Sequence, residues 1–489
     1  MQCSAAPYWQ RLVKNLAVNL KRSIGVPMGN SLGYRKIPLA TLILIAVNIA
    51  VYAATSYENF FLEISDYWVS LGGFIPSMIT TPSKIYRIFS SMFLHADLFH
   101  ILFNMYFLYI FGRTIEDTLG GARFLILYFT AGIAASIFHT AFSFLGGSTA
   151  YMIPAIGASG AISGILGAYL ILYPGTSLIM GWFFFIFPLF VRVKAAYYLL
   201  FWFMIQLIYG YFTPLGGTAF FAHVGGFVAG IAMLLVVVHK DRIGQLKLAQ
   251  QVFPLHWIFI PPKTGGLSRT TKIVITVLLV SLLAGTSYAS LGLTGQGSVK
   301  STTLQYVLEG NSNTDYVVIR TSNIGEDISS VSSDATRILL NRLYAAGLIY
   351  DEAKAGEETT LNSWNGELPV KVAIGTAVKI VYVNTTIHGF SGKYDAEGFI
   401  EYSEGTITTQ AVSIQVYGDI YQIVQSEPIT YTFTLESKTV NLNTVTQCTA
   451  FPSFLLVAAA TGVVVKKDKD LAVIGEEHET PRSYFGFPI

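Results

Sequence analysis

Ile156-Gly157-Ala158-Ser159-Gly160-Ala161-Ile162-Ser163-Gly164-Ile165-Leu166-Gly167 opens an apolar run, and it opens it with a hydroxyl. After Ser159 come Gly160, Gly164 and Gly167, spaced four and three apart, so all lie on one helix face. A second apolar run, Ala222-His223-Val224-Gly225-Gly226-Phe227-Val228-Ala229-Gly230, repeats the device: His223, Gly226 and Gly230 are three and four apart. Small residues let membrane helices approach backbone to backbone. Two such faces meeting would bring Ser159 and His223 within hydrogen-bond reach. Packing glycines alone, as in many transporters, would explain the spacing. They would not explain a Ser on one face and a His on the other, since polar side chains are costly to keep in lipid.

A Ser hydroxyl is a poor nucleophile until a base takes its proton, and neutral imidazole is the usual base. No Asp or Glu within the apolar runs is placed to orient His223, so the expected arrangement is a dyad. An oxyanion needs donors. His100 and Asn104, at i and i+4, share a helix face in the run 90–112. Their bland reading is a polar pair that only holds helices together. His95 is expected to be structural, holding loop or water. These residues make a serine-type hydrolase working inside the bilayer the leading reading.

The whole chain agrees with a membrane setting. Of its 489 residues 52% are hydrophobic and 12% charged, against about 25% charged in soluble domains. A spanning helix needs about 20 apolar residues. Runs at 38–55, 90–112, 122–145, 155–173, 195–212, 217–238 and 272–291 qualify. The run 448–465 is an eighth span or a buried element of a soluble domain. The run 178–191, preceded by Pro174-Gly175 and interrupted by Pro188, suits an interfacial or re-entrant hairpin better than a span.

Direction follows from Lys and Arg. The segment 1–36 is basic and lacks a signal-peptide pattern, so it is expected in the cytoplasm. The linker 241–271 and the tail 466–489 are expected there too. The 239–272 stretch holds Lys240, Arg242, Lys247, Lys263, Arg269 and Lys272 against Asp241 alone. Residues 296–445 carry nine Lys/Arg and seventeen Asp/Glu, and parity after seven crossings puts them outside. Alternation in 376–389, 411–418 and 429–435 reads as strands, and 334–349 as a helix with an Asp start signal, giving an α+β module. Asn384-Thr385-Thr386 is a glycosylation acceptor pattern of a kind that arises often by chance. Cys3 and Cys448 are not expected to pair. The net charge of +2 argues neither for nor against nucleic acid, and no nucleic-acid partner, metal or cofactor is expected.

Together these residues resemble the rhomboid intramembrane serine proteases over about 38–240, read here as a prokaryotic member extended at its C-terminus. The resemblance rests on Gly157-x-Ser159-Gly160, His223-x-x-Gly226-x-x-x-Gly230 and His100-x-x-x-Asn104. Arg87 ahead of His95, and Glu116 followed by Gly120, add to it. It implies a six-helix bundle in 37–240, a catalytic Ser159–His223 dyad, and an oxyanion site from the Ser159 N–H, His100 and Asn104. Gly157, Gly160, Gly164, Gly226 and Gly230 would support the site, and Arg87 and Glu116 the first extramembrane loop. An outward-facing, water-filled cavity and transmembrane protein substrates entering from the lipid bilayer are also implied. Two positions depart. Ser163 stands where an aromatic residue often packs on the His, and Tyr86 where a Trp commonly precedes the Arg.

The fold class expected is therefore a polytopic α-helical membrane protein. It has a six-helix rhomboid-like bundle, one or two further transmembrane helices (272–291, and 448–465) and a soluble α+β domain. The alternatives are a non-proteolytic rhomboid-like adaptor binding transmembrane clients, and a transporter or channel whose polar residues line a pore. The natural substrate and the oligomeric state stay open.

Overall fold

Apolar sequence in lipid has no water to bond its backbone, so it folds into helices that satisfy their own N–H and C=O groups. Seven helices among the described residues are long and apolar enough to cross a membrane, and the chain is a multi-pass membrane protein. The computed structural model describes residues 26–30, 37–184, 187–251, 265–322, 325–329, 333–374, 377–417 and 420–476. Most of the basic segment 1–36, part of the linker and the end of the tail lie outside them.

The helices are α1 Leu39–Ser56, α2 Leu98–Leu119, α3 Gly121–Phe142, α4 Ser159–Leu172, α5 Ala195–Phe212, α6 Phe220–Val237 and α7 Arg269–Ser290. A soluble helix α8 is Asp334–Ala345, and α9 is Leu442–Leu471. Two compact units result: a helical one, and one built on Ser298–Asn441.

Several expectations need correction. The span expected at 90–112 is present but shifted to Leu98–Leu119. Asp97 accepts from the His100 N–H at 2.8 Å and starts α2 at Leu98, and the helix continues through a π-turn at Leu108–Gly112 to Leu119. The run 155–173 shortens to the 14 residues of α4. At 1.5 Å per residue that is about 20 Å, less than the ~30 Å hydrocarbon core. Such a helix needs no lipid contact: every residue from Gly160 to Leu172 is buried. The run 178–191, expected as a hairpin rather than a span, is a β-hairpin, β2 Ser177–Phe184 with β3 Phe187–Lys194. β1, Val26–Asn30, pairs with β2, a long-range contact no local pattern announces. The open choice at 448–465 resolves to a helix of the helical unit.

The glycine faces meet. α4 packs against both α3 and α6, which also pack against each other. A methyl added at Gly226 would overlap the Gly160 carbonyl oxygen, and one at Gly230 the Gly164 carbonyl oxygen. On its other side, a methyl at Gly160 would lie 2.6 Å from the Ala135 Cβ of α3.

Each end of the bundle is tied. Glu116 was expected to support the first loop with Arg87. Instead its carboxylate accepts from the N–H groups of Ala40 and Thr41, at 2.9 and 2.8 Å, and from the Thr41 hydroxyl at 2.7 Å. The first turn of a helix has orphan donors that only an acceptor placed there can satisfy. At the far end of α4, Val473 and Ile474 donate to the Leu172 carbonyl, at 2.7 and 3.2 Å. Buried Asp468 accepts from the Leu267 N–H and from Lys272, and buried Glu476 from the Ser268 N–H and the Thr271 hydroxyl. The last turn of α9 and the chain just after it thus clasp the ends of α4 and α7.

The second unit is a seven-stranded antiparallel sheet in the order β6-β5-β4-β12-β9-β8-β7. Its strands are β4 Ser298–Leu308, β5 Asn311–Ser322, β6 Gly325–Ser329, β7 Glu358–Ile374, β8 Ala377–Tyr394, β9 Ile400–Thr409 and β12 Ile429–Asn441. A separate hairpin pairs β10 Val412–Tyr417 with β11 Ile420–Gln425. Leu339, Leu340 and Leu343 of α8 share a core with Leu304, Ile319, Ile407 and Phe433. Ser333, not an Asp, caps α8.

Lys300 bonds Asp395, Glu397 and Thr439. Burial pushes the Asp395 carboxyl up. Bonds from Lys300 and from the Phe399 and Glu397 N–H groups outweigh this and hold it below its usual value. A carboxyl depressed by folding stabilises above its unfolded value near pH ~4 and loses that contribution as pH falls through the folded one. Acidification below about pH 4 should therefore speed hydrogen exchange in β4 and β12 of the full chain. Asp395→Asn should speed it at neutral pH and flatten the acid dependence.

Candidate active site

Ser159 is the first residue of α4, and the chain before it is strapped in place. Phe74 and Ala155 exchange backbone hydrogen bonds, and Gly157 donates to the Ser91 carbonyl at 2.8 Å. Gly157 has φ +123°, a conformation that favours glycine, and a Cβ there would lie 2.8 Å from His100 Nε2. The Ala158 N–H points at His95 Nε2, 3.4 Å away, while His95 Nδ1 faces the Phe93 carbonyl. His95 therefore holds the loop. Arg87, fully buried, donates to the Gly73 carbonyl at 3.2 Å and braces the same region.

His223 lies one turn into α6, and its Nε2 is 2.7 Å from Ser159 Oγ. Its Nδ1 is 2.8 Å from Gln206 Oε1. A carbonyl oxygen only accepts, so Nδ1 carries the proton and Nε2 is left to accept the Ser159 hydroxyl. The site is thus not a bare pair. Gln206 and Trp202, both on α5, were missed. The Trp202 ring lies 6.0 Å from the imidazole, centroid to centroid. The missing aromatic at position 163 is compensated from another helix, and Ser163 bonds back to the Ser159 carbonyl at 2.6 Å. One signal was available: an amide in the middle of the apolar run 195–212, four residues after a Trp.

His100 Nδ1 accepts from the Ala96 N–H at 3.2 Å, so its proton is on Nε2, the atom nearest Gly157. Asn104 donates to the His100 carbonyl at 2.9 Å and is buried. A cavity of about 40 Å3 opens beside Ser159, lined by Ser91, Ser136, His139, Ala161 and Ala222 among others. Each ordered water needs about 10–15 Å3 of such space and polar partners, so the cavity has room for water. Among the described residues no His, Cys, Asp and Glu cluster is arranged to hold a metal.

Residues 82–240 match the family described as Rhomboid domain. This chain carries a rhomboid domain. RHOMBOID-like protein 1 of Arabidopsis thaliana is 30% identical over 175 residues, 36% of this chain and 40% of that protein. Rhomboid protease GluP of Bacillus subtilis is 33% identical over 139 residues, 27% of this chain and 24% of its own. Inactive RHOMBOID-like protein 8 of Arabidopsis thaliana is 27% identical over 177 residues, 36% and 45% respectively. In all three the match spans less than half of the relative's length. The relatives come from a plant and a bacterium alike, so they give no support to a specifically prokaryotic origin. The rhomboid domain thus sits in a family with both protease-named and inactive members, and the sheet unit Ser298–Asn441 lies beyond the matched residues.

Proposed function

We propose that this protein is an intramembrane serine protease that cleaves transmembrane segments of other proteins. The observation that carries the reading is the 2.7 Å contact between Ser159 Oγ and His223 Nε2, with the imidazole proton held on the far nitrogen. Ser159 attacks the scissile carbonyl as His223 takes its proton. The Ser159 N–H, His100 Nε2–H and the Asn104 amide stabilise the oxyanion. His223 then protonates the leaving amine, and water from the cavity hydrolyses the acyl-enzyme. Substrate segments need small or helix-breaking residues near the cut, because a regular helix hides its carbonyls.

The orientation follows from charge and from parity, with the short buried α4 counted as a crossing among the seven helices before the sheet unit. The N-terminus is cytoplasmic in the cell membrane, the site opens to the extracytoplasmic side, and Ser298–Asn441 is extracytoplasmic. α9 returns the chain to the cytoplasm, in keeping with Lys466 and Lys467 at its end.

The test is cleavage of a labelled transmembrane reporter by the purified protein in liposomes, with a serine-directed fluorophosphonate as inhibitor. Wild type should cut the reporter, lose activity to the reagent and carry the adduct on Ser159. A reporter left intact, with Ser159 unlabelled in folded protein, would overturn the reading in favour of an adaptor. The inactive relative makes that outcome worth the measurement.

A further inference from the structure

The sequence places no carboxylate where it could steer His223, and none hydrogen-bonds to it among the described residues. The titratable groups that face the imidazole are His100 of α2 and His139 of α3. Both ring nitrogens are nevertheless occupied, one by Ser159 and the other by Gln206. α5 is Ala-Ala-Tyr-Tyr-Leu-Leu-Phe-Trp-Phe-Met-Ile-Gln-Leu-Ile-Tyr-Gly-Tyr-Phe, with Gln206 its one amide and no charge. Gln206 is buried at 7% exposure. An amide buried in an apolar helix without a partner is costly, and the partner found here is the imidazole. Trp202, one turn earlier on the same face, packs against the same ring.

We propose that Gln206 is a positioning residue. It accepts the Nδ1–H of His223 and, with Trp202 against the ring, holds the imidazole in the tautomer and orientation that leave Nε2 free to take the Ser159 proton. This rests on the reading of Ser159 and His223 as the reacting pair. A neutral carbonyl suits the location: it orients the ring without the desolvation cost of a buried carboxylate. The imidazolium formed during reaction is then steadied by a dipole rather than by a charge. The third member of this site comes from α5, a helix that carries neither Ser159 nor His223.

The test compares wild type, Gln206→Leu and Gln206→Glu as full chains in liposomes. Gln206→Leu keeps the volume and removes the acceptor. It should lower kcat about tenfold or more in folded protein, with KM unchanged. Gln206→Glu restores an acceptor. It should recover most of the rate and move the acid limb of kcat to higher pH, because a carboxylate favours the imidazolium. A wild-type rate in Gln206→Leu would overturn the proposal. So would a Gln206→Glu protein that is folded but no faster than Gln206→Leu.

A readout independent of cleavage separates this proposal from the protease reading. Nitrogen-15 spectra of His223 should show the Nδ1–H tautomer in wild type and a mixture in Gln206→Leu. If wild type cleaves nothing but the spectra behave so, the protease reading fails and the positioning role stands. If the tautomer is the same in both proteins, the positioning role fails whatever the activity.

Discussion

Ser159→Ala and His223→Ala each lower the cleavage rate by about 10⁴ or more, and the double variant is no slower than either. The expectation follows from their mutual geometry. With Oγ and Nε2 2.7 Å apart, the two side chains act as one unit, so removing either removes the activated nucleophile. What remains is binding and the oxyanion donors, the same in all three variants. Reporter binding should persist in each, because the substitutions remove the reacting atoms and leave the glycine contacts between α4 and α6 in place. Losses that multiply in the double variant would mean that Ser159 and His223 act separately. The measurement is single-turnover cleavage in liposomes, with pull-down of the uncut reporter.

Gly226→Ala and Gly230→Ala each destabilise the helical unit by about 1–3 kcal/mol or more, and each lowers cleavage at least about tenfold. A methyl on either glycine meets backbone of α4, not the end of a flexible side chain: the Gly160 carbonyl in one case, the Gly164 carbonyl in the other. Backbone inside a packed helix pair cannot swing aside, so the helices must separate. Ser159 and His223 sit in the first turns of those same helices, and a shift of about 1 Å there is enough to break a near-attack geometry. Gly217→Ala is the control, since nothing lies within 4 Å of a Cβ at that position. Thermal melting in detergent and reporter cleavage check both parts. Melting temperatures equal to wild type for both glycine variants would show that the faces do not pack so closely.

The features read correctly from sequence were those with a local pattern. The apolar runs announce helices because lipid leaves the backbone no other option, and the glycine spacing announces which faces meet. Features set by long-range contact were not legible. Nothing around Val26–Asn30 says that it will pair with Ser177–Phe184, and β4, β5, β7 and β9 lack the clean alternation that marked parts of β8, β10 and β12. The start of α2 was misplaced because hydropathy does not register a cap: Asp97 sets the boundary, and the run before it looks equally apolar. At the site, Ser159, His223, His100 and Asn104 stood out because each is the wrong polarity for its surroundings. Gln206 has the same property. A catalytic imidazole is usually oriented by a carboxylate, whereas a buried apolar helix favours an uncharged amide in that role.

The clasp at the C-terminal end of α4 also bears on how this protein is made. A chain emerging from the ribosome exposes Ser159 early. The donors that complete the Leu172 carbonyl, Val473 and Ile474, appear only after the whole of Ser298–Asn441 has been synthesised. At about 5–20 residues per second that interval is on the order of tens of seconds. Throughout it, the helix that bears the serine has an unfinished end. The stretch that closes it is made only after the whole of Ser298–Asn441, so maturation of the serine helix waits on synthesis of the sheet unit.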